Sequence, residues 1–305
     1  MSETVLIMAG LPVGPAEWRV FLQRSRAAAV SAVMKRGGDP YGPEGEEELV
    51  RRALAELEPV KKAEALMLRL GILADAGFEA FMQAWTRENE RRKAALERGE
   101  PVYGPKQYRP EDYYFHLHRL RLNELKEKLR VLEPVTEERL QDWYLRERDR
   151  DPALRRPDRL TAEVYRAPAG LMITEVNELL MNSAPEKTVT FERPDKGGAW
   201  SVYELLAPLS AGERSAVVIR EDGCLQYRLV KREPGAFYSL EEDREWIEHC
   251  YYERLLRERI REIPADTDIF SSAGKEARQY LLPPMPEGQG TVPDPGAETG
   301  KERSV

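Results

Sequence analysis

The chain has 305 residues, of which 41% are hydrophobic and 33% charged, with a net charge of −7. That length allows one large or two modest domains, with a core that needs no metal or disulfide staple. A mean hydropathy of −0.60, with no apolar run near the roughly 18 residues of a membrane span, excludes an integral membrane protein. The acidic balance argues against a protein built to hold DNA or RNA.

Residues 4–13 read as a short apolar strand ending at a Gly-Leu-Pro turn. Val5 to Ala9 has no Lys or Arg before it and no cysteine near it for a lipid anchor, so no export signal is read and a cytoplasmic location is expected. Pro15 suits the first turn of a helix carrying Trp18, Phe21, Leu22, Ala29 and Val33 and stopping near Gly37-Gly38. A second helix is expected from about Glu46 to Leu70, kinked or broken at Pro59. A third follows Gly77, with Phe78, Phe81, Met82 and Trp85 on one side; its distal half, Arg87 to Arg98, reads as a solvated charged face. A long helix runs from about Pro110 to Leu132. Thr136 caps the next, with Val135 and Leu140 as a hydrophobic staple.

After Pro157 the period changes. Short alternating segments at 160–165, 188–191, 216–219 and 225–230 read as strands, the last two joined by a turn at Glu221-Asp222-Gly223, and a short helix spans about 174–181. Helix returns at Ser239, where Ser239 and Glu242 fit a capping box, and closes near Ile263 before Pro264. Residues 283–305, rich in Pro, Gly and charge, read as a disordered tail. The fold class is therefore α+β: a mostly helical domain with a small α+β domain inserted, because a lone returning helix with a Trp/Ile/Leu stripe needs the first helical block as its partner. The expected parts are 1–153, 154–236, a helix at 237–264 packing back on the first part, and the tail.

Motifs for chemistry are scarce. The chain has two cysteines, Cys224 and Cys250, and three histidines. His116 and His118 sit two apart on a helix and point about 200° from each other, the wrong spacing for a shared metal. No phosphate loop or nucleophile elbow is present, so no cofactor and no metal are expected. The aromatic and methionine stripes are most simply core. The functional alternative is a groove for extended apolar segments of other proteins, for which flexible Met and flat rings are suited.

Three stretches carry a resemblance: RRKAALERGEPVYGPKQYRPEDYYFHLHRLRLNELKEKL (91–129), VTEERLQDWYLRERD (135–149) and LSAGERSAVVIREDGCLQYRLVKREPGAFYSLEEDREWI (209–247). In this order they resemble the parvulin-type peptidyl-prolyl isomerases and chaperones of the SurA/PrsA group, over about Gly10 to Ile263. The resemblance implies a helical chaperone domain, an inserted isomerase domain, unfolded or proline-containing polypeptides as partners, and an extracytoplasmic setting. It also implies two catalytic histidines. In LTAEVYRAP, Val164 stands where the first would be; in DGCLQYRLV, Leu225 stands near the second. Gly197-Gly198 corresponds to the family's double glycine, and the middle of the domain is too short for its usual helices.

Apolar residues at both histidine positions leave no catalytic residue to name, so a degenerate isomerase domain is expected. The leading expectation is a chaperone-like binder of unfolded or extended chains, with Trp18, Phe21, Phe78, Phe81, Met82, Trp85, Tyr165 and Tyr227 as client-binding candidates. An active peptidyl-prolyl isomerase using Tyr165 or Tyr227, and a scaffold for one dedicated partner, stay open. Swapped helical domains would allow a homodimer.

Overall fold

Where one strand is expected at the start, the chain forms a hairpin. β1 (Leu6–Met8) pairs antiparallel with β2 (Leu11–Val13), Leu6 facing Val13. The turn residues Ala9 and Gly10 both take left-handed backbone, φ 52° and 74°, the geometry that matches strand twist in a two-residue turn. The structure, a computed structural model, describes residues 4–192 and 198–281. The expected tail and Gly197 of the glycine pair lie outside the described residues.

Two compact units divide the chain, one of Met1–Leu129 with Leu256–Val305 and the other of Arg130–Leu255. The fold is α+β and mostly helical, and no described helix is long and apolar enough to cross a membrane.

In the first unit, α1 (Pro15–Lys35) buries Trp18, Phe21, Leu22, Ala29 and Val33 at the expected helical spacing. It ends where Gly37 turns left-handed and Gly38 N donates to Val33 O. α2 (Pro43–Arg69) starts three residues earlier than expected, with Pro43 in its first turn, and continues as one helix through Pro59. The expected break is absent because both halves are held by packing. Leu49, Ala53 and Leu57 join the core around α1, while Ala63, Leu66 and Met67 join a second cluster. α3 (Phe78–Glu97) and α4 (Pro110–Leu132) close this layer.

Near its end the first unit adds elements not read from the sequence: β7 (Asp268–Ile269), which pairs with β1, and α9 (Ser272–Leu281), which buries Ala273, Ala277 and Leu281 in the α1–α2 core. Trp18 Nε1 donates to Ala273 O at 3.3 Å, fixing α9 on α1.

In the second unit, α5 (Glu137–Glu147) is capped as expected, Thr136 Oγ1 accepting from Arg139 N. Its Leu140, Trp143 and Tyr144 pack with Ile247, Cys250, Tyr251 and Leu255 of α8 (Arg244–Arg261). α8 starts five residues later than expected. The Ser239–Glu242 box is replaced by a turn in which Ser239 N donates to Asp243 Oδ2 and Glu241 N to Ser239 Oγ. From Leu256 onward the same helix contributes to the first unit, where Leu256, Ile260 and Ile263 meet α2 and α4.

The small sheet comprises β3 (Arg159–Ala167), β4 (Lys187–Phe191), β5 (Val218–Arg220) and β6 (Gly223–Glu233), in antiparallel order β4-β3-β6-β5. Gly223 has φ +138°, and a Cβ there would lie 2.4 Å from Ala167 O, so only glycine fits the β5–β6 turn. α6 (Ile173–Asn182) covers one face through Val176 and Leu180. α7 (Gly198–Leu206), a helix the sequence reading did not include, covers the other through Val202 and Leu206. Between Tyr165 and Gly197, α6 is the one helix among the described residues, and α7 begins at the second glycine of the pair.

Candidate functional site

Three places could carry chemistry: a groove along α3, a buried ionic cluster around Lys61, and the sheet positions Val164 and Leu225, where the sequence resemblance implies histidines.

The groove is built by α3 and the loop leading to α4. Trp85 Nε1 donates to Tyr108 O at 2.9 Å, and Asn89 both donates to Tyr108 O and accepts from Tyr108 N. Arg92 locks the loop further. It donates to Tyr103 O at 3.0 Å and Pro105 O at 2.7 Å, pairs with Glu88, and lies 4.4 Å over the Tyr108 ring. At 6% exposed it is an interior anchor and Ala95 is buried as well, which corrects the reading of Arg87 to Arg98 as a solvated face at these two positions. Five outward donors in a rigid fork let an arginine satisfy several loop carbonyls at once. The walls held apart in this way leave a groove of about 450 Å³. Trp85 and Leu96 supply apolar surface, and Glu90, Lys93, Glu97 and Lys106 form rims of mixed charge.

In the ionic cluster, Lys61 of α2 has no exposed surface. Its Nζ lies 2.6 Å from Glu17 Oε1 and 2.9 Å from Glu64 Oε2. The Tyr114 hydroxyl of α4 reaches both carboxylates, at 2.8 Å and 3.3 Å. Burial pushes the Glu17 carboxyl above its ordinary value, against the pull of Lys61. Burial opposes the Lys61 charge too, but the two carboxylates outweigh it and hold its pKa above the usual value. Burial and the same carboxylates push the Tyr114 phenol well up, and burial lowers His118 nearby. Glu17 Oε2 has no hydrogen-bond partner. It borders a cavity of about 10 Å³ shared with Asp75, His118 and Arg121, close to the space of one water. Two carboxylates around one ammonium join α1, α2 and α4, and nothing in the cluster is open to a substrate. It was missed in the sequence, although Lys61 and Glu64 continue the buried stripe of Leu49, Ala53 and Leu57 at four- and three-residue steps.

In the sheet, Val164 faces Tyr227 across β3 and β6, and Leu225 follows on the same face. Both are buried, 3% and 7% exposed, in the cluster that packs on α7. Tyr165 lies on the opposite face, its hydroxyl donating to Glu163 Oε2 at 2.6 Å and Arg214 lying 4.1 Å over its ring. Tyr165 and Tyr227 are therefore not brought together. Trp18, Phe21 and Phe81 fill the core of the first unit, while Phe78, Met82 and Trp85 are half-buried against it. Of the eight aromatic and methionine candidates, only Trp85 lines the groove.

No protein-family model matches this chain, and no curated protein matches it. Among solved structures it is similar to one of two SurA-like chaperones of Campylobacter jejuni, the virulence factor PEB4 and the periplasmic protein Cj1289. The identity is 12%, over 88% of this chain and 100% of that one, with a TM-score of 0.30. It is similar to the foldase protein PrsA of Streptococcus pneumoniae at 11% identity, over 92% and 100%, with a TM-score of 0.24. It is also similar to the peptidylprolyl isomerase PrsA of Bacillus anthracis at 12% identity, over 74% and 95%, with a TM-score of 0.22. Likeness of this order carries no argument about activity, which must come from the chain's own residues.

Proposed function

We propose that this protein is a folding factor that binds extended, apolar stretches of other polypeptides and does not catalyse prolyl isomerisation. The observation that carries this reading is the α3 groove. Trp85 and Leu96 are eleven residues apart on the helix, about 16 Å at 1.5 Å per residue, which matches about five residues of extended chain. Its surface is apolar and its rims mix charges, so it suits a stretch of backbone with apolar side chains rather than one small molecule fixed by directed polar groups. The sequence resemblance to SurA/PrsA-type chaperones points the same way.

The small unit supports the non-catalytic part. Amide rotation has a barrier of about 18–20 kcal/mol, and lowering it needs polar groups aimed at the twisting amide. At the two positions where the resemblance places histidines, apolar Val164 and Leu225 face the interior. We read the unit as a degenerate isomerase domain.

NMR of a proline-containing apolar peptide with and without the protein tests this in one sample. Peptide line shifts are expected, without cis/trans exchange cross-peaks. The Leu96→Glu variant, changed at a side chain already 39% exposed, is expected to weaken binding roughly tenfold by placing a charge on the apolar surface. Exchange at catalytic protein levels would make the protein an isomerase. Lack of binding to any apolar peptide, with tight binding to one native protein, would make it a dedicated scaffold.

A further inference from the structure

We propose that β4 is a docking edge, which receives an extended segment of another polypeptide as a fifth strand of the small sheet. This does not rest on the α3 groove: a client could occupy the groove and leave β4 bare, or the reverse.

Sheet edges expose unpaired peptide groups, and proteins usually blunt them by shortness, proline or a bulge. Three of the four edges here are blunted. β5 has three residues and β7 two, while β2 has three with Pro12 in the middle. β4 is different. It has five residues, Lys-Thr-Val-Thr-Phe, and pairs with β3 along its whole length without a register shift, from Leu160↔Phe191 to Val164↔Lys187. It contains no proline. Its β-branched and aromatic residues favour extended backbone. Among the described residues, none hydrogen-bonds to the backbone on its outer side.

A row of alternating N–H and C=O groups is complementary to another extended backbone, which identifies the occupant as a strand. The side chains narrow it further. Val189 and Phe191 are half-buried beside the Leu160–Ala162–Val164 cluster, so apolar side chains on that face of an added strand would extend this core. Thr188 and Thr190 are exposed on the other face and suit polar neighbours. Lys187 is exposed and has no ion-pair partner among the described residues, so an acidic residue at that end is matched. The preferred segment therefore alternates apolar and polar residues, carries an acid at one end and has no proline in its middle. This is a different class from the proline-containing clients that the sequence resemblance implies.

Amide hydrogen exchange of the full chain, followed by NMR, tests the proposal. The probe is an acetylated, amidated peptide of about seven residues that alternates valine and threonine and carries one glutamate. Exchange at every second amide of β4 is expected to slow roughly tenfold as those donors become paired. The same peptide, N-methylated at alternate bonds, should leave exchange unchanged. Lys187→Glu should weaken the glutamate peptide several-fold and favour its lysine counterpart. Equal slowing by the N-methylated peptide, or binding with no change in β4, would overturn the proposal. So would concentration-dependent dimerisation that protects β4 without peptide, since the occupant would then be a second copy of the chain.

Discussion

Glu17 is a carboxyl 1% exposed, with one oxygen unpartnered and its proton affinity raised by burial. A group whose folded pKa lies above its unfolded value gives stability that is complete below the unfolded value, about 4.3 for Glu, and is lost as pH rises through the folded value. His118, lowered by burial, acts oppositely: its contribution is lost as pH falls below about 6.5, where the unfolded imidazole takes a proton that the folded one resists. Lys61, Glu64, Tyr114, Asp75 and Arg121 face the same space. Glu17→Gln keeps the shape and removes one titration, while His118 remains in both proteins and cancels in their difference. The urea midpoint of the variant relative to the parent is therefore expected to improve as pH rises above about 4.3 and to level off once pH passes the raised folded value. A difference that stays flat with pH would show that Glu17 does not titrate differently in the folded state. These residues were legible only in part. The stripe that placed Leu49, Ala53 and Leu57 inside also passes through Lys61 and Glu64, but a charge on a stripe reads as a lapse of pattern until its partner is known. The partner, Glu17, lies 44 positions upstream (61 − 17), beyond any local period.

At the scale of elements, helix and strand periods were well read where side chains are large. α1, α3, α4 and α6 and the strands of the small sheet fall close to their expected places because Trp, Phe, Leu and β-branched residues mark the buried sides. α9 was missed because its buried side is Ala273, Ala277 and Leu281, small residues that give a weak signal. α7 was missed because Gly197-Gly198 was read only as the double glycine that the resemblance implies, whereas Gly198 opens the helix. Pro59 was misread because a local rule was applied without packing. Proline removes one backbone donor and crowds the preceding turn, at about 3 kcal/mol in a helix interior, and the two clusters on either side of it hold α2 together at that cost. Pro59→Ala is therefore expected to stabilise the protein by about 1–3 kcal/mol, read as a higher urea midpoint. An unchanged midpoint would mean that the backbone around residue 59 has already adapted to the ring.

At the scale of the molecule, the proposed reading as a binder without isomerase activity turns on whether the small unit has an open cavity at Val164 and Leu225. Val164 and Leu225 share one face of the sheet with Leu160, Ala162, Tyr227 and Leu229, and that face is covered by Val202 and Leu206 of α7. An imidazole at either position would enter a packed apolar layer. Leaving its ring nitrogens unpaired costs about 1–3 kcal/mol each, and the poor fit adds overpacking strain. In this unit the two positions carry apolar side chains that complete a core. The resemblance singled out these two positions; only the register of β3 against β6 and the placement of α7 show that they are filled from above. Placing histidine at both positions, Val164→His with Leu225→His, is accordingly expected to lower the urea midpoint markedly and to produce no cis/trans exchange of a proline peptide. Binding in the α3 groove should persist under conditions where the variant remains folded, because none of the groove residues is altered. Exchange cross-peaks in the double variant would instead mean that α7 can move aside for substrate and that two imidazoles at these positions suffice for catalysis.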